Sequence, residues 1–468
     1  MKYWPLLCGV IAVAGCAHFE PQPLSPAQTA AQFDLRRLDN AGLNAFLAQQ
    51  LGNPPPHWPL PQWDLNSLTL AAFYFHPDLA VARAQWHVAQ AGVKTAGGRP
   101  NPTLSVTPEY NVTTLVPSPW GPSVNFDVPL ETMGKRAKRI AAAEKIAESA
   151  RWSFVSAAWQ IRSGVRAGLL DFSVAGRRAG LLQKQFAAQT NIVKLLQGRF
   201  NAGAIARPEL TLAQIALNKT QQDLSDAESK QAEARSRLAQ ALGVGLAALA
   251  GEKLEFNFSA DPPAALTSTD ARGIALRGRA DVLGALADYA AAEADLRLEL
   301  AKQYPDVHLN PGYQYDQGDS KWSVGLSVEL PILNQNQGPI AEAEARRKLA
   351  AAKFIALQAQ VSGEIDRAVA GVRVAREQLE TGKKLIAAEM QQEKSAEAQL
   401  KAGAGEQLDL LNAQLETSNA TLTQLDNEAK LQSALGTLED ALQSPADQLA
   451  AAIQKISSEN PNGKAPHP

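Results

Sequence analysis

PDLAVARAQWHVAQAGVKTAGGRPNPTLSVTPEY, residues 77–110, has a counterpart further along the chain in ADVLGALADYAAAEADLRLELAKQYPDVHLNPGY, residues 280–313. The two align without a gap: Asp78 on Asp281, Pro102 on Pro305, Pro108 on Pro311 and Tyr110 on Tyr313. Beyond them the offset slips from 203 to 200 residues. Ala202-Gly203-Ala204 then matches Ala402-Gly403-Ala404, Ala213-Gln214 matches Ala413-Gln414, and Ala241-Leu242 matches Ala441-Leu442. Such a repeat is far longer than the ~20–50-residue unit of a solenoid. It is a duplicated half-protein, and each half predicts helix, strand, strand, long helix, turn, long helix.

The first repeat helix is predicted from Leu68 to Thr95, where Gly97-Gly98-Arg99-Pro100 stops it. Strands follow. In 103–112, Leu104, Val106, Tyr110 and Val112 alternate with Ser105, Thr107, Glu109 and Asn111. In 123–130, Val124, Phe126, Val128 and Leu130 alternate with Asn125 and Asp127. The second half repeats the pattern with Val307, Leu309, Tyr313 and Tyr315, then Trp322, Val324, Leu326, Val328 and Leu330. Period-two alternation marks strands with one apolar and one polar face. Their length suits tilted membrane-spanning strands. The period alone also fits two amphipathic hairpins on a soluble core. Residues 117–121 and 316–320 are turn material.

The helices that follow decide between these readings. No proline interrupts Gly134 to Phe200 or Ile340 to Leu400. Either stretch, as one helix, would be about 100 Å long. Second helices are predicted over Pro208–Leu242 and Glu406–Leu442. Helices this long hold together by supercoiling on partners. A free coiled coil leaves the four amphipathic strands unexplained. Four strands cannot close a barrel, because an open edge in lipid strands backbone groups without partners. Three chains would supply twelve strands, and cyclic symmetry would turn the long helices into a second barrel.

The first residues read as an export signal: Lys2, then an apolar run from Trp4 to Ala14, too short to span a bilayer. It ends in Val13-Ala14-Gly15-Cys16, which looks like a bacterial lipobox with Cys16 as the acylated residue. Ala17 then favours the outer membrane; the plainer alternative is an ordinary secretory signal with an incidental cysteine. Cys8 lies in the removed segment, so the mature chain has no disulfide. Residues 16–64 are Pro-rich, with one helical candidate from Leu35 to Leu51, and read as a tether along the surface. The divisions are thus 1–15 signal, 16–64 tether, 65–258 first repeat, 259–445 second repeat and 446–468 tail.

Composition excludes more than it selects. A net charge of −2 argues against nucleic acid as partner. The six histidines show no metal-ligand spacing, so neither a metal site nor a cofactor is expected. No Gly-x-Ser-x-Gly, His-Glu-x-x-His or phosphate loop is present, and the chain is not expected to be an enzyme.

The order of elements, the duplication, the strand-ending prolines (Pro129 in FDVPLETMGKR, Pro331 in VELPILNQNQG) and the Ala-Gly turns resemble the TolC family of outer-membrane efflux channels. The resemblance covers roughly residues 65–445. RPNPTLSV with the lipobox looks most like the lipoprotein branch that includes heavy-metal exporters. The resemblance implies a mostly α fold with a small β part: a helical barrel below a trimeric twelve-stranded membrane barrel. It implies a homotrimer in outer-membrane lipid, extending into the periplasm, that conducts passively what an inner-membrane pump expels through a periplasmic adaptor. It also implies that the tips Arg199-Phe200-Asn201-Ala202-Gly203-Ala204-Ile205 and Leu400-Lys401-Ala402-Gly403-Ala404-Gly405-Glu406 face the adaptor. Asp409 matches one acid of the family's gate ring, and Asn412 stands where a second acid occurs. The competing reading of Asp409 is a helix-end acid favoured by the dipole. The competing reading of the protein is a pore-less structural or adaptor lipoprotein of the periplasm.

Overall fold

The computed structural model describes residues 18–112, 117–258 and 271–443. The first repeat holds α3 (Leu65–Phe75), α4 (Pro77–Ala96), β1 (Thr103–Thr107), β2 (Ser123–Leu130), α5 (Lys135–Asn201) and α6 (Arg207–Leu242). The second holds α7 (Ala271–Gly278), α8 (Ala280–Ala301), β3 (Val307–Asp316), β4 (Asp319–Val328), α9 (Gln337–Lys401) and α10 (Gln407–Leu442). Ahead of both lie α1 (Pro26–Asp34) and α2 (Ala41–Leu51). The long helices run 67 residues in α5 and 65 in α9. Each enters through a left-handed residue, Gly134 (φ 65°) or Asn336 (φ 63°), which turns the chain from strand into helix.

Three expectations need correction. The first repeat helix is two helices, because Pro77 has no N–H to continue the α3 ladder. His76 ends α3 and caps α4, its ring nitrogen accepting from the Asp78 N–H. The candidate helix over Leu35–Leu51 is α2 alone, begun at Asn40, whose side chain accepts from the Gly42 and Leu43 N–H groups. The Pro-rich segment is not merely a surface tether. Leu38, Leu43, Leu47 and Trp63 are fully buried in the main apolar core with residues of α3, α5 and α6. Alternation was not visible there because a helix face and a lone tryptophan carry the burial.

The helices form one layer. Near the tips it runs α6–α5–α10–α9, and nearer the sheet α4 and α8 pack on α5, with α8 also against α9. Buried or half-buried residues of α6 recur at Leu210, Ala213, Leu217, Thr220, Leu224, Ala227, Gln231, Ala234 and Leu238. Those of α9 recur at Val361, Ile365, Ala368, Val372, Ala375, Leu379, Gly382 and Ile386. Strict three-four spacing is the signature of left-handed supercoiling.

Candidate functional site

The sheet is the first part of the site. Its order is β1-β2-β3-β4, all antiparallel. The register sets Leu104 beside Phe126, Val124 beside Tyr313, Leu309 beside Leu326 and Tyr313 beside Trp322. All the apolar positions therefore share one face. That face is bare: Trp322, Val324 and Leu326 are 83%, 76% and 71% exposed. β1 stops at Thr107 rather than Val112, since Pro108 lacks an N–H, and Tyr110 pairs only with Trp120. β3 and β4 are joined by Gln317 and Gly318, both at positive φ, as a two-residue hairpin requires. Tyr110, Trp120, Tyr313 and Trp322 gather at this turn end of the sheet, in two ring pairs 4.9 Å apart. A bare apolar band with aromatics at its rim is the outer surface of a membrane barrel.

The opposite face is polar. His308 Nδ1 lies 2.8 Å from Asp127, and the Asn310 amide donates to Ser327 at 3.0 Å. Among the described residues no helix is long and apolar enough to cross a membrane.

At the far end, two tips are built alike. Gly203 (φ 71°) and Gly403 (φ 70°) occupy left-handed positions that a side chain would strain. The Ala204 N–H donates to the Arg199 carbonyl at 2.8 Å, and the Ala404 N–H to Gln399 at 2.9 Å. Gly405 sits where a Cβ would crowd the Gln399 carbonyl carbon and the Leu400 nitrogen. Arg199 donates to Glu406 across the tips at 2.8 Å. Phe200 is half-buried in an apolar cluster with Ile192, Leu196, Leu210 and Leu411. Lys401 is exposed and donates to Glu397 at 2.6 Å.

Asp409 is exposed and accepts from the Glu406 N–H at 3.3 Å, while Glu406 accepts from the Asp409 N–H. It therefore has the helix-end role whatever else it does. Asn412 is exposed one turn further on the same face. That face continues as Glu416, Asn419, Thr423, Lys430, Ser433 and Thr437, all exposed and none apolar. The three-four spacing of this polar stripe is itself a pattern in the sequence. Cys16 lies outside the described residues.

Between tip and sheet, a buried charge cluster ties the halves together. Arg162, only 1% exposed, donates to Glu439 at 3.1 Å. The Arg166 guanidinium donates to the Gln432 carbonyl at 2.7 Å and stacks near Phe256. Ser163 donates to Asp440. Gly436 makes room: a Cβ there would lie 2.1 Å from Arg166 Nη1. Burial pushes the Asp440 carboxyl up, against the Ser163 hydrogen bond and Arg162. Burial likewise draws the Arg166 guanidinium down, against the pull of Glu439. These partners are more than 260 residues apart in sequence, so no local pattern announced them.

The family model of the outer membrane efflux protein matches twice, over residues 73–244 and 272–443. The cobalt-zinc-cadmium resistance protein CzcC of Cupriavidus metallidurans is 23% identical over 340 residues, 72% of this chain and 79% of that protein. In fold the chain is similar to VceC of Vibrio cholerae (TM-score 0.67, 20% identity, 82% of this chain and 97% of that one). It is also similar to the CmeC channel of Campylobacter jejuni (TM-score 0.67, 15% identity, 84% and 89%). The family's members are passive channels rather than enzymes, generally trimeric, and work with an adaptor and an inner-membrane pump. With both halves matched, the chain belongs to the outer membrane efflux protein family and is the outer-membrane channel component of a tripartite efflux system.

Proposed function

We propose that this chain works as a homotrimer anchored in the outer membrane by acylated Cys16, with its periplasmic mouth lined by Asp409 and Asn412. The observation that carries the reading is that one chain has open edges at both levels. Among the described residues, β1 and β4 each lack a partner on one side of the sheet, and α6 and α9 each end the helical layer. An open strand edge in lipid leaves N–H and C=O groups without partners. Cyclic closure by three copies gives twelve strands and removes both edges at once.

The bare apolar face of the sheet then meets lipid, and the face with Asp127, His308 and Asn310 lines the lumen. The stripe from Asp409 to Thr437 continues that polar lining along the helical wall. A ring of three Asp409 carboxylates favours cations at the mouth. Asn412 adds no second charge one turn along. Arg199, Phe200, Gly203, Ala204, Lys401, Gly403 and Gly405 form the surface offered to the adaptor, and the pump supplies the energy. The metal-resistance relative makes divalent transition-metal ions the first cargo to test.

The test is planar-bilayer conductance of the purified protein, with its mass measured in the same detergent. Discrete cation-preferring openings from a trimer are expected. A monomer that never conducts would overturn the assembly.

A further inference from the structure

We infer that the free edge of β4 pairs antiparallel with the free edge of β1 of the next copy in one register, which sets Leu330 beside Val106, Leu326 beside Tyr110 and Ser327 beside Glu109. This rests on the trimeric reading above and adds which strand residues meet.

The register comes from the duplication. β1 and β3 correspond at an offset of 203 residues, with Pro108 on Pro311, and β2 and β4 at 202, with Pro129 on Pro331. The two hairpins agree with these offsets pair by pair. Leu104 meets Phe126 in the first, and their counterparts Val307 and Val328 meet in the second. Thr107 meets Ser123, and their counterparts Asn310 and Gly325 meet likewise. The chain already contains one seam between consecutive hairpins, β2 on β3. In a closed ring, the seam from β4 to the next copy's β1 is that join made again. The observed pairs Val128–Leu309, Val124–Tyr313 and Asn125–Gly312, moved by the same offsets, become Leu330–Val106, Leu326–Tyr110 and Ser327–Glu109.

The end of β4 is shaped for such a partner. Past the Thr103–Asp127 pair, Val128, Pro129 and Leu130 of β2 are held by β3 alone. β4 overruns β3 in the same way. Past Val328 come Glu329, Leu330, Pro331 and Ile332, which pair with no strand among the described residues. Leu330 and Ile332 keep the apolar alternation and are 70% and 75% exposed. In the single chain this stretch only turns on itself, the Ile332 N–H donating to the Leu330 carbonyl at 2.8 Å. The proposed register lays Val106 and Leu104 of the next copy along it, both more than half exposed.

The prolines are compatible with this seam. Pro129 lies in the observed seam beside His308, so Pro331 can take the matching place beside Ser105. The β2–β3 ladder skips Phe126 and Asp127, where Pro311 offers no N–H, and Pro108 brings the same gap to the new seam. Across the observed gap His308 contacts Asp127. Ser105 and Glu329 hold the corresponding places, a hydroxyl able to donate to a carboxylate.

Cysteine cross-linking on the polar face tests the register. Glu109→Cys with Ser327→Cys should give covalent dimers and trimers on mild oxidation, because directly opposite strand residues have Cα atoms about 4.5–5.5 Å apart, within disulfide reach. Glu109→Cys with Glu329→Cys, and Thr107→Cys with Ser327→Cys, report slips of two residues in either direction. In the proposed register both are diagonal pairs about 7–8 Å apart and should stay at the background of the single-cysteine chains. β1 and β4 are opposite edges of one chain's sheet, so any such bond joins two copies. Hydrogen exchange of the unsubstituted protein is the second arm: residues 329–332 should exchange at least about tenfold more slowly than the exposed tip at Gly403. Mass is read in the same detergent. A trimer in which only a slipped pair cross-links, or in which residues 329–332 exchange freely, overturns the register and leaves the trimer standing. A chain that is not trimeric overturns both.

Discussion

Leu326→Arg separates a sheet in lipid from a sheet in water. Leu326 is four residues from Trp322 in the aromatic rim and four from Leu330 at the other end of the apolar band. That is about 13 Å along the strand each way, or about 10 Å along the membrane normal after a ~40° tilt. Leu326 thus lies near the middle of a band about 25 Å tall. Arginine at that depth costs about 2–4 kcal/mol per chain. The folded population should fall about 30-fold to 900-fold. In water the same change would be nearly neutral, within about 0.5 kcal/mol, because Leu326 is 71% exposed in the single chain. Ser327→Arg is the control: one residue along the same strand, on the polar face, beside His308. The assay is urea-resolved folding into lipid vesicles, followed by tryptophan fluorescence and by the gel shift of folded trimer. A large loss for Leu326→Arg with little change for Ser327→Arg is expected. Equal effects from both, or none from either, would refute the assignment of the apolar face to lipid.

Other measurements probe the wall and the ends. Glu439→Ala should destabilise the helical layer by about 3–5 kcal/mol in denaturant titration, because Arg162 is left buried without its carboxylate. Asp440 has a folded pKa above its unfolded one, so the folded state holds its proton more tightly. Stability should therefore rise as pH falls through the raised value, and Asp440→Asn should flatten that slope without loss at neutral pH. Asp409→Ala should weaken divalent-cation block of single-channel current while leaving trimer mass unchanged; an unaltered block leaves Asp409 as a helix cap alone. Cys16→Ser should abolish metabolic labelling with radioactive palmitate, and persistent labelling would remove the lipid anchor from the proposal.

The sequence made the periodic parts legible and hid the rest. The boundaries of α5, α6, α9 and α10 fall within a few residues of where proline, glycine and helix formers set them. β2, β3 and β4 follow from alternation, because a face that is wholly apolar in β2 must be matched strand by strand. The break at Pro77 is legible from its missing N–H, but the apolar pattern that runs on through it masks the break. Nothing local could reveal that Leu38, Leu43 and Trp63 pack into the main core, or that Arg162 meets Glu439. Those contacts depend on how distant segments lie together.

A single chain of this sequence carries two kinds of surface that conflict in water. The sheet exposes Trp322, Val324 and Leu326, and α10 exposes a stripe with no apolar residue from Asp409 to Thr437. One chain alone cannot bury the first, since among the described residues no helix packs on the sheet. An assembly that places lipid outside and water inside satisfies both at once. The absence of chemistry then follows from the same division. In the proposed assembly the polar stripe faces the lumen, where it would keep a solute hydrated in passing, while the buried charges at Arg162, Arg166 and Glu439 hold the two halves of the wall together. Substitutions that reshape the stripe should therefore alter what passes, and substitutions in the buried cluster should alter whether there is a wall at all.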